Sequence, residues 1–244
     1  MIVMSIAGID PSAGAGLFAD IKTFQKIGVY GTGIVTSLTS QNPYKIYSLK
    51  PIESNYIAEE IDSVLEEYTE IKYIKTGMLY SEDIIKTVSG KIKEYNLKAI
   101  VDPVMVATAG GKLSKEDMGK AILKYLLPKA ILTTPNIDEA SKLSGINIKT
   151  EEDAIKAAEI IGKTCDVIVT GGHLDGINTI YRNNKISIIK EELIDTENLH
   201  GSGCVFSASI VAYLGLGYSM EIAIEKSFKY VHNAILNGNY GTLI

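Results

Sequence analysis

Cysteine is scarce in this chain: Cys165 and Cys204 are the two in 244 residues. They lie too far apart for a metal knuckle and are too few for a disulfide framework, so a reducing, cytoplasmic setting is expected. No basic block exists. Net charge is −5 and the lysines are scattered among acids, which argues against nucleic-acid or membrane partners and favours a small-molecule substrate. No apolar run reaches the roughly 18 residues of a membrane span. Met1 to Gly8 is apolar but short, with no basic lead-in and no cleavage site, so it reads as a first strand. Repeats, low-complexity tracts and long linkers are also missing. With 46% hydrophobic residues, residues 1–244 are expected to form a single domain around one core.

Two nucleotide signatures are absent as well. Gly111-Lys112 is followed by Leu113 and lacks the upstream glycine of a Walker A loop. Gly14-Ala15-Gly16-Leu17-Phe18-Ala19 fits the Gly-x-Gly-x-x-Ala fingerprint of a Rossmann dehydrogenase. That fold needs a ribose-binding acid about 20 positions on, where Ile34-Val35-Thr36-Ser37 stands instead.

What is present is alternation. Apolar runs rich in Val and Ile cover 2–7, 33–38, 71–76, 99–104, 130–133 and 167–170. Helical periodicity covers 15–27, 53–68, 82–95, 115–126, 137–143, 151–161, 203–214 and 220–236. Unbroken apolar strands between helices predict a mostly parallel sheet covered on both faces. Two short strands around Asn183-Asn184 predict a hairpin extending it.

Ligands bind such sheets beyond the carboxyl ends of the strands. Those ends carry Gly8-Ile9-Asp10-Pro11, Ser40-Gln41-Asn42, Gly77-Met78, Asp102-Pro103, Pro135-Asn136, Gly171-Gly172-His173 and His200-Gly201-Ser202-Gly203-Cys204. Turn punctuation accounts for the glycines and prolines better than for the polar side chains. The last segment opens a helix, where free backbone N–H groups and the positive helix end attract phosphate. The same field is expected to lower the Cys204 pKa, making it a candidate thiolate base; the alternative is a buried, inert cysteine. Asp20 falls on the apolar stripe of Leu17, Ile21, Phe24 and Ile27, and there a ligand contact is favoured over a structural hydrogen bond. Asp102 and Glu139 suit magnesium near a phosphate. Helix-start electrostatics is the other reading for Glu139, and Thr134 reads as the cap before Pro135.

Together these segments resemble the ribokinase-like superfamily, and specifically the hydroxymethylpyrimidine and phosphomethylpyrimidine kinases. The carriers are Ala7 to Gly16 with Asp20, Thr39-Ser40-Gln41-Asn42, Lys75-Thr76-Gly77-Met78-Leu79, Asp102 to Ala107, Thr134-Pro135-Asn136 with Glu139-Ala140, Gly171 to Leu174, and His200 to Cys204. The resemblance implies a three-layer α-β-α sandwich and ATP-dependent phosphorylation of the hydroxymethylpyrimidine and its monophosphate. It implies an anion hole of Gly201, Ser202, Gly203 and the Cys204 N–H, with Cys204 as base. Gln41 would pair with the pyrimidine edge, and Gly8, Asp20, Met78 and Val104 would line the ring. Mg2+ would act through Asp102 and Glu139, and the nucleotide would contact Asn136, Thr170 and Gly172. A homodimer is implied too. Two departures stand out: many relatives have lysine at Thr170, for which Lys112 could compensate, and many continue past Gly241. Pyridoxal kinases of the cysteine type share much of this pattern but tend to carry a second cysteine where this chain has Ala107. A catalytically idle pyrimidine sensor is the alternative of another class.

Overall fold

A computed structural model describes residues 1–105, 115–172 and 174–243. Chain order begins β1 (Ile2–Ile9), α1 (Gly16–Ile27), β2 (Tyr30–Asn42), β3 (Lys45–Pro51), α2 (Ser54–Glu67). Next come β4 (Tyr73–Thr76), α3 (Glu82–Glu94), β5 (Lys98–Val101), α4 (Lys115–Ala121) and β6 (Ala130–Thr133). α5 (Ile137–Ser144), α6 (Glu151–Ile161), β7 (Asp166–Val169), β8 (Ile177–Arg182), β9 (Lys185–Lys190), α7 (Ser202–Gly215) and α8 (Met220–Leu236) follow.

The strands form one nine-stranded sheet in the order β3-β2-β1-β4-β5-β6-β7-β8-β9. From β2 to β7 all pairings are parallel, while β3 at one edge and the β8–β9 hairpin at the other are antiparallel. Side chains alternate between two cores. Met4, Ile6, Ala99, Val101, Val167 and Val169 join the cluster built with α2 to α6, whereas Val3, Ile100 and Ile168 face α1, α7 and α8. Burial on both faces is why the strands read as unbroken apolar runs. This is the expected three-layer α/β architecture. No helix among the described residues is long and apolar enough to cross a membrane.

Several boundaries differ from expectation for physical reasons. β2 begins at Tyr30, because Gly31 and Gly33 are not turn residues: a Cβ on either would lie 2.6 Å from Phe24 or Leu17 of α1. Those glycines let helix and strand approach. β3 was not expected at all, since nearly every residue in it is exposed and no apolar period marks it. The helix expected over 115–126 stops at Ala121 and continues as a π turn and a 3-10 turn, where Pro128 cannot donate to a helical ladder. The expected hairpin turn forms at Asn183-Asn184, both left-handed with φ of 50° and 59°.

Candidate active site

β1 lies between β2 and β4, so the chain leaves β1 on one side and returns on the other. The crevice beyond the carboxyl ends of β1 and β4 is the switch point at which open sheets bind ligands. Asp10 organises its first loop. Its carboxylate accepts hydrogen bonds from the Ser12 N–H at 2.8 Å, the Ser12 hydroxyl at 2.7 Å and the Ala15 N–H at 3.0 Å. His200 Nε2 lies 2.7 Å from it. Burial works to raise the Asp10 pKa, but hydrogen bonds from His200, Gln41 and Ser12 hold it well below the usual carboxylate range. Gln41 is thereby drawn to the β1 loop, although it belongs to β2. The Asp10–His200 pair, absent from the sequence reading, ties the first glycine loop to the last.

The phosphate-type turn precedes α7, which packs against β1, β4 and β5. Gly201 is left-handed at φ 87°, and a Cβ there would run into the Gly14 carbonyl oxygen. The Ser202 N–H is spent on Leu199 O at 3.1 Å, and helical bonding starts with Val205 N–H to Gly201 O at 2.9 Å. Ser202 therefore does not serve the expected hole through its backbone. The Gly203 and Cys204 N–H groups, at the second and third helical positions, have no intrahelical acceptor.

Beneath them lies a charge cluster centred on Lys75, a residue of the Lys75 to Leu79 motif to which the sequence assigns no role of its own. Lys75 Nζ is 2.6 Å from Asp20 Oδ1 and 3.8 Å from Asp102 Oδ2. Burial works against the ammonium charge, but Asp20 and Asp102 hold the Lys75 pKa above its usual value. Burial likewise pushes Asp20 up to about 6, against the pull of Lys75 and Ser5. Ser5 donates to the other Asp20 oxygen at 2.6 Å. Asp20 is thus fully buried with both oxygens engaged by the protein. The expected ring contact gives way to a structural support for Lys75. A lysine inside the apolar run 71–76 was the available signal.

Asp102, one residue beyond β5, accepts from the Ser207 hydroxyl of α7 at 3.1 Å and from the Cys204 thiol. Burial pushes the Cys204 thiol up to about 12; Lys75 opposes this, but the Asp102 and Asp20 charges add to it, and the Gly16 N–H gives only partial relief. The direction is thus opposite to the lowering expected of a helix start, with desolvation the largest cause.

Glu139 and Asn136 form a reciprocal capping box at the start of α5, with N–H to oxygen distances of 3.0 and 2.9 Å. Asn136, not Thr134, is the cap. Burial pushes the Glu139 pKa up to about 8, the Asp102 charge adds to this, and N–H groups of Asn136 and Met105 pull the other way. Asp102 and Glu139 are the two carboxyl groups here that offer hard oxygen donors, since both Asp20 oxygens are engaged by Lys75 and Ser5. No three His, Cys, Asp or Glu side chains converge as a metal cluster among the described residues. Magnesium fits such a donor set, because it keeps several waters and needs few protein ligands.

On the far side, the Thr170 N–H donates to Pro135 O at 2.9 Å, and Asn136 bridges to Thr170. Gly172 follows, exposed. Met78 meets Gly8 across β1 and β4, and Val104 closes a tight turn onto Asp102 O at 2.8 Å. In sheet order the residues therefore run Gln41, Gly8, Met78, Asp102 and Val104, Asn136 and Glu139, then Thr170. Ala107, Lys112 and His173 lie outside the described residues.

A family model described as phosphomethylpyrimidine kinase matches residues 10–242. The hydroxymethylpyrimidine/phosphomethylpyrimidine kinase of Bacillus subtilis (strain 168) is 36% identical over 241 residues, with 96% of this chain and 89% of that protein covered. The structure of pyridoxal kinase from Staphylococcus aureus in complex with AMP-PCP is similar at a TM-score of 0.88 and 34% identity, covering 97% of this chain and 88% of that one. Phosphomethylpyrimidine kinase from Clostridium difficile 630 gives a TM-score of 0.83 at 34% identity, covering 96% of this chain and 99% of that one.

Proposed function

The chain belongs to the phosphomethylpyrimidine kinase family, and from that premise we propose that it moves the γ-phosphoryl group of ATP to 4-amino-5-hydroxymethyl-2-methylpyrimidine and then to the monophosphate, within thiamine biosynthesis. The observation that carries this reading is the meeting of the α7 start with the Lys75–Asp102 cluster at the switch point. Unspent N–H groups, a thiol and a carboxylate stand together there.

The acceptor ring occupies the β2–β1–β4 side, where Gln41 meets its amino group and a ring nitrogen, and Gly8, Met78 and Val104 give an apolar wall suited to a neutral heterocycle. ATP lies along Asn136, Thr170 and Gly172. From β2 to β7 the sheet spans about 24 Å at the usual strand spacing, room for both substrates end to end. The hydroxymethyl oxygen attacks the γ-phosphorus, the bond to the bridging oxygen of ADP breaks, and Cys204 takes the hydroxyl proton. Gly203 and Cys204 N–H groups receive the charge on the transferred oxygens. This role requires the Cys204 thiol first to lose its own proton to solvent as the substrates bind, and the Lys75 charge favours the thiolate so formed. Mg2+, held through water by Asp102 and Glu139, would neutralise phosphate charge.

One kinase domain over residues 1–244 and a cytoplasmic setting complete the reading, the latter in keeping with two free cysteines. A homodimer is supported by the β2–β3 hairpin, which exposes Leu38, Tyr44, Ile46 and Tyr47. Light scattering after gel filtration tests it, and a monomer at micromolar concentration overturns it.

ADP release from ATP with the hydroxymethylpyrimidine, its monophosphate and pyridoxal as competing acceptors tests the main reading. Turnover of both pyrimidines is expected. Exclusive turnover of pyridoxal would overturn it and favour the second reading, a pyridoxal kinase, which the 0.88 TM-score to such an enzyme supports.

A further inference from the structure

α7 is buried along most of its length, and two hydroxyls, those of Ser207 and Ser209, are buried with it. Ser209 bonds within its own helix, donating to Phe206 O at 2.7 Å. Ser207 reaches out of the helix: its Oγ lies 3.1 Å from Asp102 Oδ2, and also 3.0 Å from Gly203 O and 3.1 Å from Cys204 O. One proton faces three acceptors. The two carbonyls already receive the helical N–H groups four positions on, and a carboxylate is the stronger acceptor, so the hydroxyl serves Asp102. Lys75 lies 3.8 Å from the same oxygen, too far for a hydrogen bond, so it attracts the carboxylate without fixing its rotation. Both contacts fall on Oδ2 and neither on Oδ1. Ser207 and Lys75 are wholly buried, whereas the Asp102 side chain keeps 6% exposure.

We propose that Ser207 is a positioning residue for the metal side of the reaction: by donating to Oδ2 it holds the Asp102 carboxylate so that Oδ1 is left to the waters of Mg2+. The inference rests on the reading of Asp102 as a Mg2+ carrier given above. A carboxylate that acts on a metal through water depends on its orientation, and a partner on its other oxygen sets that orientation. Ser207 also stands one helical turn below the Gly203 and Cys204 N–H groups, so the same hydrogen bond fixes the carboxylate relative to the anion hole. Without it, the Asp102 carboxylate is free to turn toward the Lys75 ammonium.

The test is calorimetric binding of the ATP analogue AMP-PCP to the wild-type chain, to Ser207→Ala and to Ser209→Ala, each with Mg2+ and with EDTA in its place. Wild type is expected to bind more tightly with Mg2+. Ser207→Ala is expected to lose about tenfold of that gain, the scale for removing an outer partner of a metal ligand, while its metal-free affinity stays at the wild-type value. Ser209→Ala is expected to keep the full gain, since its hydroxyl is spent on Phe206 O. An undiminished gain in Ser207→Ala overturns the proposal, as does an equal loss in Ser209→Ala. Loss of metal-free binding in Ser207→Ala also overturns it, by showing a general structural role. If wild type shows no gain with Mg2+, the Mg2+ reading itself fails, and the Ser207 role with it.

Discussion

The Lys75 ammonium lies 2.6 Å from the Asp20 carboxylate, with both side chains wholly inside the protein. Neither charge reaches water, so each depends on the other. Asp102, 3.8 Å from the same nitrogen, links this pair to the Cys204 thiol above it.

Removing one member of a buried pair strands the other. Lys75→Met is expected to cost about 3–5 kcal/mol in urea denaturation, and adding Asp20→Asn to recover most of that loss. A single variant as stable as wild type would show that the pair is not ionic.

Cys204→Ala is expected to lower turnover on the order of 100-fold or more, the scale for losing a general base. In a Cys165→Ala background, alkylation of the free protein by iodoacetamide should still be rising at pH 10, as a thiol pushed up to about 12 requires. A plateau near pH 8 would point instead to a thiol activated by the helix start.

Glu139 sets a pH dependence. Its folded pKa of about 8 stands above the ordinary carboxylate value, so the fold favours the protonated form. That contribution to stability is complete below about pH 4.5 and is lost as pH rises through 8. Glu139→Gln keeps an oxygen for the Asn136 N–H and cannot ionise. It should melt close to wild type at pH 5 and on the order of 5 °C higher at pH 8. A difference that does not widen between those pH values would contradict the shift.

Two left-handed glycines separate backbone conformation from collision. Gly217, at φ 89°, has open space where a Cβ would go, whereas a Cβ on Gly201 meets the Gly14 carbonyl. Gly217→Ala should cost about 1 kcal/mol with turnover retained. Gly201→Ala should cost more and depress turnover, measured by urea denaturation alongside ADP release. Equal behaviour of the two would dissociate the glycine-loop contact from function.

Much of the architecture is legible in the residues. The period over 151–161 coincides with α6, and Asn183-Asn184 makes the hairpin turn it predicts. β3 was invisible because an exposed edge strand is held by backbone bonds that leave no apolar pattern. The cap at α5 was misplaced by one turn signal: Thr134-Pro135 has the right chemistry, but Asn136 accepts the Glu139 N–H. The site was legible as a set of strand ends. The roles of Asp20 and Cys204 were not, because each depends on Lys75.

What the sequence determined by itself is local. Apolar period, glycine and proline placement, and the order of motifs follow from neighbours within a few positions, and they were enough for an α/β sheet with a glycine turn opening its penultimate helix. Tertiary structure alone decided the electrostatics. Asp20 meets a lysine 55 positions away, Ser207 an aspartate 105 away, and His200 an aspartate 190 away. Burial and such distant partners set whether a thiol keeps its proton, because desolvation and Coulomb energy depend on separation in space and not along the chain.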